Sequence, residues 1–282
     1  MLVETLVELL RPRRYFRGKQ RLLNWVLPAE GTKSACIFGY RMTLDISEYV
    51  QRNIYLGSFE PQETDLVLRY LRPGMTVVDG GANVGYYTAL AARCVGLSGR
   101  VIAFEPSPYA FGKLLELVHH NGLSQVTCRP LALSNREEIL CLFVPPDAFH
   151  QHDPSVVEYV AGMKPISVPA RTLDAEAAAL GLDYIDLLKL DVEGHELQVL
   201  AGAEGLLRAG KVGAVLCEFN RSLTEMNGGS ITRLYELLLG SGFRDVLGRP
   251  DFSVPTFNRM LVSVRCAREA VRGFNSETVC AE

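Results

Sequence analysis

An α/β fold with a doubly wound, mostly parallel sheet and an antiparallel hairpin at its C-terminal edge follows from three features of the sequence. Short apolar runs that read as buried strands alternate with runs that read as helices from residue 76 to about residue 240. A glycine-rich turn, DGGANVG from Asp79 to Gly85, joins the first of these strands to the first of these helices. Beyond Gly240 two strand-like runs, GFRDVL and NRMLVSVR, flank a loop rich in Pro and Asp with no helix between them.

Leu2 to Leu10 is amphipathic and stops near Pro12, and Arg11, Arg13, Arg14, Arg17, Lys19 and Arg21 follow. Most charge runs are solvated faces, so this reads as a helical arm that packs on the body or on a second subunit, and a homodimer through it is expected. An acidic partner or a membrane surface is the alternative. Cys36 to Tyr55 suggests a hairpin, and Pro61 to Tyr70 a helix leading into the turn Arg72-Pro73-Gly74. TVVD (76–79) is a strand, YYTALAARC (86–94) a helix beginning near Val84, RVIAFE (100–105) a strand and SPYAFGKLLELVHHNG (107–122) a helix. VTCRPLAL (126–133) is a third strand before a polar reversal at Ser134-Asn135-Arg136. LLKLD (187–191) and AVLCEF (214–219) are strands flanking one helix, GHELQVLAGAEGLLRAG, and ITRLYELLLGSG is the last helix. The chain divides into an arm and hairpin start (1–45), a main domain (46–270) and a tail (271–282). Residues 145–164 form a long loop within the main domain, where a substrate lid is expected.

Composition sets the class. The 282 residues are 48% hydrophobic and 22% charged, enough for one large core. A formal net charge of −3 gives no global attraction for a polyanion, so nucleic acid is not an expected partner. Seven cysteines, at 36, 94, 128, 141, 217, 266 and 280, make no CxxC pair and read as reduced core residues of a cytoplasmic protein. No apolar run reaches the roughly 18 residues of a transmembrane segment. The N-terminal apolar residues precede the arginines, the reverse of a secretory signal.

Glycines in the first strand-to-helix turn allow positive φ and close approach of a ligand, and the helix start that follows presents free N–H groups to an anion. Glu105, at the end of the second strand, lies 20 residues beyond Gly85, the separation at which an acid accepts hydrogen bonds from a ribose diol. Together they describe a nucleoside site. A dinucleotide fits poorly, because the G-x-G-x-x-G frame places Ala82 where the backbone must meet the pyrophosphate. Asp79 would repel a pyrophosphate yet suits a ligand with an ammonium beside a carboxylate, such as S-adenosylmethionine.

DGGANVGYYTALAA, GRVIAFEPSP, the asparagine of HHNGL, PLALS, ARTLD, LLKLDVEGHELQVLAGAEGLL and VLCEFN, in that order, resemble the FkbM-type S-adenosylmethionine-dependent methyltransferases over residues 50 to 265. The resemblance implies a Rossmann-like class I methyltransferase sheet of seven strands with the last antiparallel. By position it implies that Asp79, Gly81, Asn83 and Gly85 hold the methionine end of the cofactor, that Glu105 is the ribose acid, and that Ala132 and Leu133 wall the adenine. Glu60, in SFEPQE, matches a family glutamate placed as a cover over the cofactor.

The other dense stretch is LKLDVEGHELQVL. Its strand delivers Asp191 to the same sheet edge as Asp79, with Glu193 and His195 in the loop that follows; Glu196 reads as a helix-start acid. Methyl transfer to a hydroxyl needs an aligned acceptor and a base for its proton, and Asp191, Glu193 and His195 are the candidates. A rival account activates the acceptor with a divalent ion such as Mg²⁺ on Asp191, Glu218 and Asn220. The simpler role for Glu218 and Asn220 is to orient a substrate hydroxyl, with no metal. His150, His152 and Asp153 lack a second ligand cluster and read as surface loop.

The reaction expected is therefore O-methylation of a small polar acceptor, such as a sugar or a glycosylated or polyketide-like secondary metabolite, leaving S-adenosylhomocysteine; the acceptor class comes from the family. N-methylation is the nearest competitor. A non-catalytic nucleoside-binding scaffold and a nicotinamide-dependent oxidoreductase complete the set.

Overall fold

The computed structural model describes residues 30–146 and 154–264. The N-terminal helix, the basic cluster and the dimer expected from them lie outside the described residues, as do His150, His152, Asp153, Cys266 and Cys280.

Five parallel strands carry the main sheet: β3 (Thr76–Gly80), β4 (Arg100–Phe104), β5 (Val126–Arg129), β9 (Ile185–Leu190) and β10 (Val212–Asn220). With β11 (Phe243–Asp245) and β12 (Thr256–Ser263) they stand in the order β11-β12-β10-β9-β3-β4-β5. β12 runs antiparallel to both neighbours, which is the C-terminal hairpin expected from the sequence. The chain moves outward from β3 through β4 to β5, then returns to the other side of β3 at β9. That reversal opens a crevice between the carboxyl ends of β3 and β9, where ligands bind in such sheets.

Both faces of the sheet are covered, which is why its strands read as unbroken apolar runs. Val78, Ile102, Leu188 and Val215 pack on one side with Leu173, Val199, Leu206 and Leu234. Val77, Val101, Leu187 and Leu216 pack on the other with Val67, Leu90 and Val95. These last three belong to α2 (Pro61–Tyr70) and α3 (Tyr86–Val95). Since side chains alternate along a strand, Asp79 and Lys189 continue the α3-facing row.

Ahead of the sheet lie the hairpin β1 (Thr32–Ile37) and β2 (Tyr40–Asp45), then α1 (Tyr49–Leu56) and α2. The hairpin thus ends at Asp45, and residues 49–56 are helical rather than extended. α4 (Pro108–His120) follows β4.

Three expectations are corrected in the middle of the chain. The run 126–133 is two strands, β5 and then β6 (Ala132–Leu133), which leaves the main sheet. Between it and β9 stand two unanticipated strands, β7 (Glu138–Val144) and β8 (Lys164–Arg171), forming a small sheet in the order β6-β8-β7. The stretch after His195 is two short helices, α6 (Glu196–Ala201) and α7 (Glu204–Arg208), separated where Gly202 packs on the Ser134 carbonyl. α5 (Leu173–Leu180), α8 (Arg221–Met226) and α9 (Ile231–Gly240) complete the helices of the described residues. Glu176 of α5 ties the small sheet to the main one, accepting from Arg129 Nε of β5 at 2.9 Å and Arg171 Nη1 of β8 at 2.6 Å.

The cysteine expectation is also corrected. Among the described residues only Cys217 is buried, while Cys36 and Cys141 are exposed; all five are free thiols.

Candidate active site

The turn between β3 and α3 runs from Gly81 to Gly85, with Gly81, Asn83 and Gly85 at φ 73°, 51° and 94°. Each of its main-chain N–H groups already has a partner. Gly81 and Ala82 both donate to the Phe104 carbonyl, Asn83 to Glu105 Oε2, Val84 to Oδ1 of Asn83, and Gly85 to the Ala82 carbonyl. These five turn donors are closed to an anionic ligand, a physical ground against a pyrophosphate seated on the turn itself.

The glycines have packing duties. A Cβ on Gly81 would lie 1.8 Å from the Asp191 carbonyl oxygen, so this glycine lets the turn close against the end of β9. A Cβ on Gly85 would meet Leu117 of α4 at 2.5 Å, so Gly85 admits a helix; it lines neither cleft described below.

Two clefts meet at the switch point. The first, about 640 Å³, is walled by Phe104, Leu131, Ala132, Leu133, Leu140 and Leu142 and carries Glu105 among these apolar groups. Glu105 is 5% exposed, and its carboxylate is pinned by the Asn83 and Ser107 N–H groups, each at 2.8 Å. Burial pushes its pKa up to about 7 against the lowering effect of those hydrogen bonds. Each oxygen keeps a second lone pair for a ligand hydroxyl. Pro154 and Val156, in the described part of the 145–164 loop, border this cleft rather than the other.

The second cleft, about 890 Å³, is polar: Glu60, Lys189, Asp191, Glu193, Glu218 and Asn220 line it, with Tyr49, Phe59, Tyr86 and Tyr87. Gly81, Asn83, Asp191 and Glu193 are common to both clefts and form the partition between them.

Asp79 lines neither cleft. It is 1% exposed, accepts from Thr88 Oγ1 at 2.6 Å and faces Nζ of Lys189 at 3.6 Å. The same ammonium lies 3.4 Å from Asp191 Oδ2 and donates to the Gly81 carbonyl at 2.7 Å. The sequence reading of Asp79 as the acid that meets a cationic ligand, with Asp191 at the same sheet edge, is thus corrected: a buried lysine stands between the two acids and neutralises one. The signal was a lone lysine in LLKLD, since a strand buried on both faces cannot hold an ammonium without acidic neighbours.

Glu60 stands at the start of α2 with φ 39° and ψ 60°, and its carboxylate accepts from the Tyr87 hydroxyl. Burial, with the nearby Asp191 charge, pushes its pKa up to about 7. Glu218 is driven well above the usual carboxylate range, by burial first and then by Asp191. Its Oε2 is shut off from solvent and has no hydrogen-bond partner. Oδ1 of Asn220 is taken by the Leu223 N–H at 3.3 Å, capping α8. Among the described residues no three His, Cys, Asp or Glu gather as a metal site.

Glu193, Gly194 and His195 make the turn into α6, with Glu193 at φ 53° and Gly194 at φ 87°. Glu196 closes the turn by accepting from the Val192 N–H at 3.0 Å, as expected of a helix-start acid. His195 is 7% exposed and both its ring nitrogens are engaged, Nε2 with Ser134 Oγ at 3.0 Å and Nδ1 with Asn227 Nδ2 at 3.1 Å. Burial lowers its pKa to about 4. Asn227 falls within no motif, and Ser134, the last residue of PLALS, carried no sign that it would meet His195.

The family model of the methyltransferase FkbM domain matches residues 79–245, the span that runs from the end of β3 through β11. The chain belongs to the FkbM methyltransferase family. A relative named methyltransferase 1, from Beauveria bassiana (strain ARSEF 2860), is 25% identical over 210 residues, covering 67% of this chain and 80% of its own. Ribosomal RNA large subunit methyltransferase E of Sorangium cellulosum (strain So ce56) is 38% identical over 68 residues, 23% of this chain and 32% of that protein. A methyltransferase FkbM from Methylobacillus flagellatus KT, solved at 2.20 Å, superposes with a TM-score of 0.44 at 17% identity, over 76% of this chain and 54% of that one. The expectation that nucleic acid is no partner is not carried beyond the sequence, given the RNA methyltransferase among these relatives. No helix among the described residues is long and apolar enough to cross a membrane. The FkbM match opens at Asp79 and closes at Asp245, so both clefts owe most of their lining to it, while Glu60, Tyr49 and Phe59 come from the segment before it.

Proposed function

We propose that this FkbM methyltransferase moves the methyl group of S-adenosylmethionine to a hydroxyl of a small polar acceptor, a sugar or a glycosylated or polyketide-like molecule. The reading rests on the partition: an apolar cleft with one pinned acid and a polar cleft with several meet at Gly81, Asn83, Asp191 and Glu193. The residues fit the cofactor. Glu105 accepts the ribose diol, Leu131, Ala132 and Leu133 flank the base, and the partition receives the amino-acid end, with Asp191 beside its ammonium. When bound, the cofactor supplies an electrophilic methyl group on a sulfonium.

The chain's own residues do the rest. Glu218 and Asn220 orient the acceptor, the tyrosines exclude water from the second cleft, and His195 holds the Glu193 turn in place rather than taking a proton. Alignment of this kind is worth several kcal/mol. Pro154 and Val156 border the cleft assigned to the base, so in this reading the described part of the 145–164 loop covers the cofactor rather than the acceptor.

N-methylation of an amine is a second reading, because a cleft lined by Glu60, Asp191, Glu193 and Glu218 also attracts a cation. Calorimetric titration with S-adenosylmethionine, followed by mass spectrometry of a panel of hydroxyl and amine acceptors with methyl-labelled cofactor, tests both. Label on oxygen supports the first reading and label on nitrogen the second. Absence of cofactor binding rejects them together.

A further inference from the structure

We propose that Glu60 is the group that takes the proton from the acceptor hydroxyl. This inference rests on the hydroxyl-methylation reading and assigns the base that reading leaves open.

Of the three groups named from the sequence, Glu193 stands on the partition between the clefts rather than in the acceptor cleft alone, and His195 and Asp191 are unsuited. His195 has Nδ1 facing an amide NH₂, which can only donate, and Nε2 facing Ser134. Asn227 Nδ2 also donates to the Gly194 carbonyl at 3.1 Å, which fixes the amide's orientation and leaves the imidazole no free lone pair. Asp191 is engaged elsewhere, its Oδ2 lying 3.4 Å from the buried ammonium of Lys189.

Glu60 differs on each count. It lines only the polar cleft, where the acceptor is placed, and not the nucleoside cleft. Its backbone is left-handed, a conformation that costs a non-glycine residue on the order of 1–3 kcal/mol and that clusters at functional sites. Asn83 and Glu193, also at positive φ, line the same cleft. The Tyr87 hydroxyl anchors its carboxylate, leaving further lone pairs for the acceptor.

The charges facing Glu60 set its basicity. From its own helix comes Glu63, from the β9 end Asp191 and Lys189, and from α3 the hydroxyl of Tyr87. Glu193 and Glu218 share the cleft, with Tyr49 and Tyr86 as its other titratable groups. Lys189 is shared between Asp79 and Asp191 and counters the charge on Glu60 less than burial and Asp191 raise it, and a value of about 7 for Glu60 matches a base working at neutral pH. Glu218, with Oε2 buried and unpartnered and a value well above its usual range, holds a proton and offers it to a second acceptor oxygen.

The balance is simple. The acceptor oxygen bonds the methyl carbon, the carbon–sulfur pair stays on sulfur, and the O–H proton passes to Glu60. A sulfonium and a carboxylate thereby become a thioether and a carboxylic acid, with no net charge left in the cleft from the reaction.

The experiment compares the wild type with Glu60→Gln and Glu60→Asp. Cofactor affinity by calorimetry is expected to change less than about threefold in Glu60→Gln, while turnover falls by about 10²–10⁴-fold and loses its rise through neutral pH. Glu60→Asp is expected to restore part of the rate and the pH dependence. Glu60→Gln with near-normal turnover and an unchanged pH profile overturns the inference. A readout independent of any acceptor is the carboxyl ¹³C titration of glutamate-labelled protein. A resonance with a midpoint near 7 that is lost in Glu60→Gln supports the assignment. Titration of Glu60 in the ordinary carboxylate range overturns it, whether or not an acceptor has been found. Absence of cofactor binding in the wild type would instead sink the methyltransferase reading itself.

Discussion

Asn227 presents Nδ2 to Nδ1 of His195 at 3.1 Å, and this contact makes the imidazole a neutral ring with its proton on Nε2. The histidine bridges α8 to Ser134 at the end of β6 and so clamps the Glu193 turn from two sides. His195→Ala takes the imidazole partner from the buried Ser134 hydroxyl and from one N–H of the half-buried Asn227 amide, and is expected to cost about 1–3 kcal/mol in chemical denaturation.

The same histidine carries a pH signature. Its folded value of about 4 lies below the 6.5 of the free side chain, so between those values the unfolded chain binds the extra proton. Its contribution is whole above pH 6.5 and is lost as pH falls toward 4. Glu60, Glu105 and Glu196, all raised to about 7, act in the opposite sense over an overlapping range. The observable is therefore the stability difference between wild type and His195→Ala. It is expected to shrink from pH 7 to pH 4 by an amount on the order of 3 kcal/mol. A difference independent of pH refutes the clamp as drawn.

Gly81→Ala places a Cβ 1.8 Å from a backbone oxygen at a residue with φ 73°. No rotamer relieves a clash with main chain, so β3 and β9 must separate at their tips. The expected loss is at least about 3 kcal/mol, with cofactor binding abolished even at temperatures where the variant is folded. Gly85→Ala meets only the flexible end of Leu117 first and is expected to lower stability while sparing cofactor affinity relative to Gly81→Ala.

The main sheet was legible where its inner parallel strands are buried on both faces, so TVVD, RVIAF and LLKL announce themselves as apolar runs. β7 was not legible, since alternate residues such as Ile139 and Cys141 are exposed. Nor was β8, whose Pro165 and Pro169 argue against a central strand. It stands between two others because β6 pairs with it only at Ala170 and Arg171, beyond both prolines. Glu105, the acid of the apolar cleft, was readable from its spacing to the turn. The partners that fix the protonation states, Lys189, Tyr87, Asn227 and Ser134, were not. They are brought in by sheet register and by helices distant in sequence, and register places Lys189 directly beside Asp79.

That pairing makes a strong prediction. Lys189→Met leaves Asp79 buried and unpaired, at an expected cost of about 3–5 kcal/mol. Lys189→Met combined with Asp79→Asn removes both charges and is expected to recover much of the stability, though not cofactor affinity, because Asp191 is then left without its ammonium. Thermal unfolding of the two variants side by side checks this. Equal destabilisation by the single and double changes would mean that Lys189 acts through packing on the Tyr87 ring, 5.4 Å away, and not through its charge.

Cofactor affinity should itself depend on pH through Glu105. In the free protein burial raises this acid to about 7, while a ribose diol donates two hydrogen bonds and so favours the ionised form. Binding therefore releases a proton below pH 7. Affinity for S-adenosylmethionine is expected to rise as pH rises through neutrality and to level off above it, by up to tenfold per pH unit on the acid side. Glu105→Gln removes the titration, so its binding curve should be flat over that range and weaker than wild type by about 1.5–3 kcal/mol at pH 8, the worth of hydrogen bonds to a charged acceptor. Calorimetry in two buffers of different ionisation enthalpy counts the protons released. A count of zero at pH 6 for the wild type contradicts the assignment of Glu105 as the ribose acid.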